Sequence, residues 1–393
     1  MFRLIFSGGN KMKKTNDYPI ILIHGFLCWG TESKINQFMP CMGMWNGNAR
    51  VAIMEEGVRC YTPHIGPFSS MWDRACILYA MIKGGRVDYG EVHSKRYGHE
   101  RFGETYPGYV PNWGELDEKG RIQKVSLIGH SFGAPTVRTL INLLAEGDAE
   151  ERIAGGDVSP LFEGGKQRWI HTCTTLAGTH NGVTLPDAAR PLVKPVSKVV
   201  FGLGNLVSGT ALSRVYDFHL DRFGISSMER HIPFNKEAVN HLANLERDNI
   251  FYELSTKGAI DCMKDYKDYD NIYYFSYYGR RTYRKFGIEI PSSDIWFPLR
   301  VLSPFECLYK DSTHGVDWQP NDGIVNVPAA HHPEGHDFVD YKDGMEIKPG
   351  IWNVMPEEWK DHTSYMGIGE TAEDYHKFFK ALAVRSMTLP VVE

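Results

Sequence analysis

A serine lies between two glycines in the stretch Gly-His-Ser-Phe-Gly at residues 129–133. This spacing is typical of a nucleophile elbow, a sharp strand-to-helix turn in which only small residues fit beside the serine. A serine at the start of a helix can attack a carbonyl carbon, because the helix N-terminus favours the negative charge that develops. Ser131 is therefore the candidate nucleophile of an acyl-transfer reaction. The alternative is that Ser131 only caps a helix.

The residues on both sides of this motif favour a catalytic serine. Apolar residues at 125–128 predict a buried strand before it, and those at 137–144 have helical spacing after it. Such a serine needs two backbone N–H donors for the oxyanion of the reacting carbonyl. Phe132 follows the nucleophile, and Phe26 ends the His-Gly-Phe turn after an early apolar run, so their N–H groups are the candidate oxyanion hole. His24 and Gly25 could instead be ordinary turn residues.

A serine nucleophile of this type works with an acid and a histidine that follow it in the chain. Asp322 lies between a turn and an apolar run, where a carboxylate can be directed across the end of a sheet. Four downstream histidines are candidates for the base: His331, His332, His336 and His362. Spacing alone does not choose among them.

Two further histidines, His93 and His99, lie six positions apart in a glycine-bounded stretch that we predict to be a loop. They could be surface polar residues, ligands of a metal ion, or a catalytic pair. The residues alone leave these three interpretations open.

The order of predicted elements indicates a parallel α/β sheet. Ser69 and Ser70 are candidate N-caps of a helix that ends before Gly84. Residues 214–320 are irregular and aromatic, which is typical of insertions around a core. The apolar runs predicted to be strands cover residues 18–26, 125–128, 169–180, 271–279 and 323–330.

The composition is that of an ordinary globular protein, with 42% apolar and 23% charged residues. A net charge of −5 and the lack of a long basic block argue against nucleic acid as a partner. The short basic cluster at 280–285 is predicted to be a solvated turn. Seven cysteines without a Cys-x-x-Cys motif are predicted to be reduced, buried thiols.

The N-terminal residues contain a four-residue apolar run, which is shorter than the roughly 7–15 residues of a secretory signal. The stretch 192–212 is apolar, but Lys194, Pro195 and Lys198 interrupt it. We therefore expect no transmembrane segment. Two interpretations stay open: the chain is intracellular and a cytoplasmic location is possible, or a signal has been lost from this version of the sequence.

Several stretches, in order from about residue 18 to residue 362, resemble the thermoalkalophilic bacterial lipases and the related staphylococcal lipases. The stretches that carry this resemblance are PIILIHGFLCWG, GPFSSMWDRAC, GGRVDYGEVHSKRYGHERFGETYPG, LIGHSFGAPTVRTLINLL, SPLFEGG, VYDFHLDRFG, NDGIVN and GIWNVMPEEWKDH. The resemblance implies an α/β-hydrolase fold, with a mostly parallel central sheet and helices on both faces. It also implies that Ser131 is the nucleophile, Asp322 the acid and His362 the base, with oxyanion donors at Phe26 and Phe132.

The same resemblance implies a triacylglycerol lipase, an ester hydrolase that works through an acyl-enzyme at a lipid–water interface. A short-chain esterase or acyltransferase with the same triad is the alternative within enzymes. An inactive relative that binds lipid is the alternative outside them. Nothing in the sequence determines the oligomeric state.

In this family one Asp, two His and a second Asp hold a structural zinc ion. The resemblance places these ligands at Asp73, His93, His99 and Glu253, where the last position is Asp in the family. Two carboxylates and two neutral imidazoles balance the charge of Zn²⁺ and complete a tetrahedral site. We therefore expect a structural zinc ion, with the loop of Glu253 displaced slightly by the extra methylene.

The family also holds a calcium ion with acidic side chains two and seven residues after the catalytic histidine. This chain has Ser364 and Gly369 at those positions. Because Ca²⁺ requires several oxygen ligands, we do not expect a calcium site, although Glu370 could supply one ligand.

Residues 187–212 correspond to the helical lid of the family. An apolar helical face in this segment would cover the active site when closed and meet lipid when open. A permanently packed core helix is the alternative. The residues predicted to form the face are Val196, Val199, Val200, Leu203 and Leu206.

The resemblance implies one α/β-hydrolase domain with insertions rather than two domains. The predicted divisions are an N-terminal extension at 1–17, the domain at 18–393, zinc-bearing regions at about 66–110 and 214–260, and the lid at about 187–212.

Overall fold

A central sheet of seven parallel strands organises the protein. Helices cover both of its faces, as predicted. The computed structural model describes residues 13–188, 190–207, 215–220, 223, 236–245, 247–309 and 317–393.

The strands of the described residues form this sheet and two small two-stranded antiparallel sheets, β3–β4 and the β8–β9 hairpin. The order in the large sheet is β10-β11-β7-β6-β5-β1-β2. The strands are β1 Ile20–Ile23, β2 Cys60–Tyr61, β3 Gly85–Asp88, β4 Phe102–Tyr106, β5 Val125–His130, β6 Ile170–Leu176, β7 Tyr273–Tyr277, β8 Thr282–Lys285, β9 Ile288–Pro291, β10 Phe338–Asp340 and β11 Trp352–Val354.

The α-helices vary from one turn to five turns in length. They are α1 Ala49–Met54, α2 Met71–Lys83, α3 Glu91–Tyr97, α4 Gly133–Glu146, α5 Ala149–Ala154, α6 Leu185–Ala188, α7 Arg190–Val207, α8 Lys236–Asn244, α9 Ile250–Glu253, α10 Thr256–Met263, α11 Phe297–Leu308, α12 Val327–His331 and α13 Ala372–Thr388. Short 3-10 helices lie at Lys34–Gln37, Pro160–Glu163, Gln167–Trp169 and His362–Met366.

The side chains of β1 show how one strand supports two cores. Ile21 and Ile23 pack into the core that contains α2 and α4. Ile20 and Leu22 pack into the opposite core, with α1 and α13. Because successive side chains of a strand alternate between faces, a continuous apolar run indicates a strand that is buried on both sides.

The helix predicted after Ser70 is α2, and the Ser70 side chain accepts a hydrogen bond from the N–H of Asp73. Two other predictions were wrong. His93 lies in the helix α3 and not in a loop. Residues 323–330 do not form a strand, because Asp322 Oδ1 accepts hydrogen bonds from Ile324 and Val325 and the backbone turns toward α12.

The prediction that the cysteines are reduced was wrong for one pair. Cys28 and Cys41 form a disulfide that closes the segment after β1. Their spacing matches no motif, so the sequence did not indicate the pairing. The free thiols are Cys60, Cys76, Cys173, Cys262 and Cys307.

None of the helices in the described ranges is both long enough and apolar enough to cross a bilayer.

Candidate functional site

Ser131 follows the last residue of β5 and precedes α4. Its φ angle is 55°, in the left-handed region that residues other than glycine rarely occupy. The turn requires glycine on both sides. A Cβ on Gly129 would lie 2.5 Å from the carbonyl oxygen of Gly133, and a Cβ on Gly133 would lie 2.5 Å from that of Ile23. This is the geometry of a nucleophile elbow, which holds the serine at the end of the sheet.

The turn after β1 lies directly against the serine. A Cβ on Gly25 would come within 2.7 Å of the Cβ of Ser131. In the described structure the N–H groups of Phe26 and Phe132 donate no hydrogen bond to another backbone group. Two free donors beside one hydroxyl are the arrangement that an oxyanion hole requires.

The structure brings Asp322 and His362 together. Asp322 Oδ2 lies 2.9 Å from His362 Nδ1, and both side chains are buried. The backbone N–H of His362 donates to the carbonyl of Asp322 at 2.9 Å. Two main-chain donors hold the other carboxylate oxygen, since Oδ1 accepts from Ile324 and Val325. The pair is therefore fixed in one orientation.

The other candidate bases have different partners. His336 Nδ1 lies 2.8 Å from a carboxylate oxygen of Asp268. His331 Nε2 lies 3.3 Å from Asp340, and its Nδ1 contacts that of His332 at 2.7 Å. None of the three contacts Asp322, so His362 is the histidine that the geometry favours.

His362 lies beside the nucleophile turn through His130, the residue before Ser131. The two imidazole rings are 4.8 Å apart, and His130 Nε2 lies 3.3 Å from the carbonyl oxygen of His362. Burial lowers the pKa of His130 well below its usual value, so this ring stays neutral. Among the described contacts no hydrogen bond joins Ser131 Oγ to His362. Such catalytic bonds commonly tighten only when substrate binds.

Sequence reasoning missed Asp361, which positions the histidine turn. Its Oδ1 accepts from the N–H groups of Thr363 and Ser364, and its Oδ2 accepts from the N–H of Trp296 at 3.0 Å. The signal was available, because an Asp before the turn His-Thr-Ser is a typical N-cap.

Sequence reasoning also missed Arg74, a buried cation beneath the turn that carries Phe26. Its guanidinium donates to the carbonyls of His24 and Gly66 and to the hydroxyl of Thr136. Burial lowers the pKa of Arg74 to about 9, so it is still charged at neutral pH. Its position inside α2 gave no indication of this role.

A second group of side chains could hold a metal ion: Asp73, His93, His99 and Asp248. His93 Nε2 lies 3.2 Å from Asp248 Oδ1 and 3.5 Å from Asp73 Oδ1, while His99 Nε2 lies 3.8 and 3.9 Å from the same two carboxylates. Ligands at 2.0–2.1 Å from a tetrahedral zinc ion are about 3.3 Å apart. The four donors are therefore close to the separations that such an ion requires.

The fourth member corrects the sequence prediction, because Asp248 takes the place given to Glu253. Glu253 is buried nearby, and its carboxylate accepts a hydrogen bond of 2.6 Å from the N–H of Met71, the first residue of α2. Asp248 precedes α9 in a left-handed conformation with φ 55°. That conformation directs the side chain of Asp248, five residues before Glu253, into the metal-binding group. A comparison of the local sequence does not reveal this placement.

The surroundings of this group fit a cation. His99 Nδ1 lies 2.9 Å from the carbonyl oxygen of Glu100, and this orientation directs Nε2 toward the carboxylates of Asp73 and Asp248. Burial disfavours a charged His93, but attraction by Asp248 and Asp73 outweighs it and raises the pKa of His93 to about 10. A site that binds a proton so strongly offers the same negative potential to a metal ion. A cavity of about 310 Å³ lined by His93 and Asp248 gives access.

The predicted lid region is helical as far as the end of α7, and residues 208–212 lie outside the described part. Three residues of the predicted apolar face, Val196, Val199 and Leu203, are exposed. The side chains of the other two, Val200 and Leu206, lie outside the described part of the structure. Phe201 is buried and contacts Phe251 with ring centres 5.9 Å apart. Phe251 in turn lies 5.9 Å from the ring of Phe26, so these aromatic rings connect α7 to the turn after β1.

Comparison with known proteins gives the relatives of this chain. A sequence profile described as "Lipase-like, C-terminal domain" matches residues 16–385. Lipase 1 of Staphylococcus aureus is 35% identical over 398 aligned residues, which cover 95% of this chain and 55% of that protein. The chain thus spans about half the length of the curated relatives that it matches.

Solved structures match nearly the whole chain. Staphylococcus hyicus lipase superimposes with a TM-score of 0.84 at 27% identity and covers 95% of this chain and 97% of its own. Lipase 1 from Pelosinus fermentans has a TM-score of 0.79 at 35% identity, with 96% and 100% covered. EstA from Clostridium botulinum has a TM-score of 0.81 at 31% identity, with 98% and 90% covered. The chain therefore belongs to the lipase family described as Lipase-like, C-terminal domain.

Proposed function

We propose that this protein is a carboxylic ester hydrolase, a triacylglycerol lipase with Ser131 as nucleophile, His362 as base and Asp322 as acid. The observation that carries the proposal is the strained turn at Ser131 beside a buried Asp322–His362 pair. The relatives support the same reaction class, since three of those compared above are named lipases and the fourth is named EstA.

The first half of the reaction transfers the acyl group to the serine. His362 Nε2 accepts the Ser131 hydroxyl proton as Oγ bonds to the ester carbonyl carbon. The carbonyl oxygen becomes an oxyanion and accepts hydrogen bonds from the N–H groups of Phe26 and Phe132. Asp322 fixes the imidazole tautomer and stabilises the imidazolium. The ester C–O bond then breaks, and the leaving alcohol takes the proton from His362.

The second half regenerates the enzyme. His362 removes a proton from a water molecule, which attacks the acyl-enzyme carbonyl. The second oxyanion collapses, the bond to Ser131 Oγ breaks, and Oγ recovers the proton from His362. The fatty acid is released, so one ester bond and one water molecule are consumed in each turnover.

The substrate class follows from α7. Its described outer face exposes Val196, Val199 and Leu203, while Phe201 packs toward the oxyanion turn. An amphipathic helix over an active site is suited to a substrate that forms a separate lipid phase. We infer that α7 is a lid that opens at a lipid–water interface.

The metal that we propose for the group at Asp73 and Asp248 is zinc. Two His and two Asp side chains match its preferred ligands and its charge. All four positions are filled by protein, so the ion would be structural and would supply no water for catalysis. It would join α2 to the α3 region and to the segment before α9. The expectation against calcium at Ser364 and Gly369 stays a prediction.

Hydrolysis of emulsified triacylglycerols and of soluble para-nitrophenyl esters of several chain lengths tests the proposal, with Ser131→Ala in parallel. We expect activity on long-chain emulsions that the substitution abolishes. Activity confined to short soluble esters would make the protein an esterase. No hydrolysis of either ester class by folded protein would contradict the proposal and favour a lipid-binding relative.

A further inference from the structure

A row of apolar side chains on α11 faces away from the protein. Phe297 is 74% exposed and Leu308 69%, and two more apolar residues lie between them. These positions follow helical spacing, so they form one narrow stripe along the helix. The opposite side of α11 is buried through Leu299, Ser303, Glu306 and Cys307. The stripe consists of Phe297, Val301, Phe305 and Leu308.

The β8–β9 hairpin adjoins α11 and ends in an exposed aromatic ring. Phe286 is 93% exposed, and its φ angle is 53°. It forms a two-residue turn with Gly287, which also has a positive φ angle, and this conformation is costly for a bulky side chain. A solvent-exposed aromatic ring on a strained backbone adds nothing to the core, so its presence indicates contact with a binding partner.

Two cations, Lys285 and Arg300, lie on the same two elements, while neighbouring Arg281 and Arg284 pair with Asp294 and Asp317. The pairing of β8 with β9 places Tyr283, Lys285 and Ile288 on one face of the hairpin. Within the described ranges, neither Lys285 nor Arg300 of α11 has an acidic partner. The chain as a whole carries a net charge of −5, so a cationic surface is a local feature.

The same elements are attached to the catalytic residues. The N–H of Trp296, the residue before α11, donates to Asp361, which caps the turn that begins at His362. Leu299 lies on the loop of the catalytic acid, since a Cβ on Gly323 would be 2.8 Å from the Cβ of Leu299. A flat partner bound to α11 would therefore lie beside the active site.

We propose that the exposed faces of α11 and of the β8–β9 hairpin form an α11–hairpin surface that binds anionic lipid aggregates. Apolar side chains would enter the acyl region, and Lys285 and Arg300 would meet anionic head groups. A second copy of the chain fits less well, because a two-fold interface would bring the unpaired cations of both copies together. The inference rests on the proposed function, for which this surface would hold the enzyme on its substrate.

Vesicle binding tests the surface separately from catalysis. The protein with Ser131→Ala is sedimented with vesicles of phosphatidylcholine, with or without phosphatidylglycerol. We expect binding to the anionic vesicles. Phe286→Ser and Phe297→Ser should each weaken it about tenfold or more, since each removes a side chain worth about 1.5–3 kcal/mol when buried. Lys285→Glu and Arg300→Glu should each weaken it about fivefold or more, and added salt should act in the same direction.

Ile153→Ser is the matched control, because Ile153 is 85% exposed on α5, which packs against α3. It should bind vesicles as the unsubstituted protein does. Equal vesicle binding by the control and by the Phe286 and Phe297 variants would overturn the proposal. A dimer that these variants dissociate, with no vesicle binding by any form, would overturn it in favour of a second copy.

Turnover separates this inference from the proposed function. With Ser131 intact, Phe286→Ser should hydrolyse soluble esters at the unsubstituted rate, and a loss there would refute a purely docking role. Ester hydrolysis without vesicle binding would refute the lipid-binding surface and still support the proposed ester hydrolase. Vesicle binding without ester hydrolysis would refute the proposed hydrolase activity and support only the lipid-binding surface.

Discussion

Gly25 faces Ser131 so closely that no side chain fits between them. A Cβ at this position would lie 2.7 Å from the Cβ of Ser131 and 3.1 Å from the carbonyl oxygen of His130. Gly25→Ala must therefore displace the peptide that carries the N–H of Phe26. We expect about a hundredfold loss in kcat on a soluble ester, which is the scale of losing one oxyanion donor.

Gly202→Ala on α7 is the matched control, because in the described structure no atom beyond its chain neighbours and the nearby backbone of its own helix lies within 4 Å of the place of its Cβ. It should keep the unsubstituted rate on a soluble ester. Equal rates for Gly25→Ala and the control, measured on folded protein, would show that the Phe26 N–H is not an oxyanion donor.

The metal group makes a second prediction at the residue scale. Asp248→Asn removes a ligand charge, whereas Glu253→Gln changes only the partner of the Met71 N–H. We expect metal analysis of purified protein to find about one zinc ion per chain, lost or strongly reduced in Asp248→Asn and retained in Glu253→Gln. The reverse pattern would restore Glu253 as the ligand. No zinc in any form after zinc-supplemented expression would refute the site.

Single residues differ in how far the sequence reveals them. Ser131 could be predicted because the elbow requires glycines at fixed positions around it. The pairing of Asp322 with His362 could not be chosen by spacing, since five histidines follow the acid. Asp248 was missed because its place depends on one left-handed residue, which leaves no pattern in the sequence.

At the scale of elements, the buried ring of Phe201 joins α7 to Phe251, which lies beside Phe26. Phe201 is buried against Phe251, whereas Leu203 on the same helix is exposed. Phe201→Ser should weaken the closed position of α7 by about 1.5–3 kcal/mol. We expect faster hydrolysis of a soluble ester, by up to about tenfold, and a smaller gain when the substrate forms droplets.

Leu203→Ser serves as the comparison, since it changes the same helix without opening that contact. It should leave the rate on the soluble ester unchanged. If Phe201→Ser and Leu203→Ser give the same ratio of emulsion to soluble activity, α7 does not act as a lid.

Elements were predictable where they are long and apolar. The strands β1, β5, β6 and β7 and the helix α2 follow from continuous runs and helical spacing. The short polar helix α3 was taken for a loop, because seven residues give too few turns for a periodic signal. The segment 323–330 was taken for a strand because its composition is apolar, although the Asp322 side chain determines its turn.

At the scale of the whole molecule, several histidines are buried without a carboxylate partner among the residues that the structure describes. Burial lowers the pKa of each below its usual value, and for His171 the pKa falls to about 4. The unfolded chain binds protons near pH 6.5, whereas the folded protein does not bind them until the pH is much lower. Stability should therefore fall as the pH falls through this range. The histidines concerned are His24, His64, His130, His171 and His180.

His171 isolates one contribution, because it lies in β6 and contacts the carbonyl of Ser386. We expect His171→Gln to reduce the loss of unfolding free energy between pH 6.5 and pH 4 by up to about 1.4 kcal/mol per pH unit. Denaturant titrations at several pH values measure the slope, so a uniform destabilisation of the variant does not interfere. Identical slopes in both proteins would contradict the assignment of a neutral, buried His171.

The fold of the whole molecule was predicted better than its connections. A parallel sheet with helices on both faces follows from the alternation of buried runs and helices along the chain. The disulfide between Cys28 and Cys41 depends on a closed turn, and the cavity beside His93 depends on packing of distant elements. Such features arise from tertiary contacts, which local patterns do not specify.

The central claim is that Ser131 is an activated nucleophile, and covalent trapping tests it most directly. The folded protein is treated with a fluorophosphonate, and the mass of the protein and of its peptides is measured. We predict one phosphonyl group per chain on Ser131, none in Ser131→Ala, and strongly slowed labelling in His362→Ala. Labelling at a different serine, or no labelling of folded protein, would contradict the account.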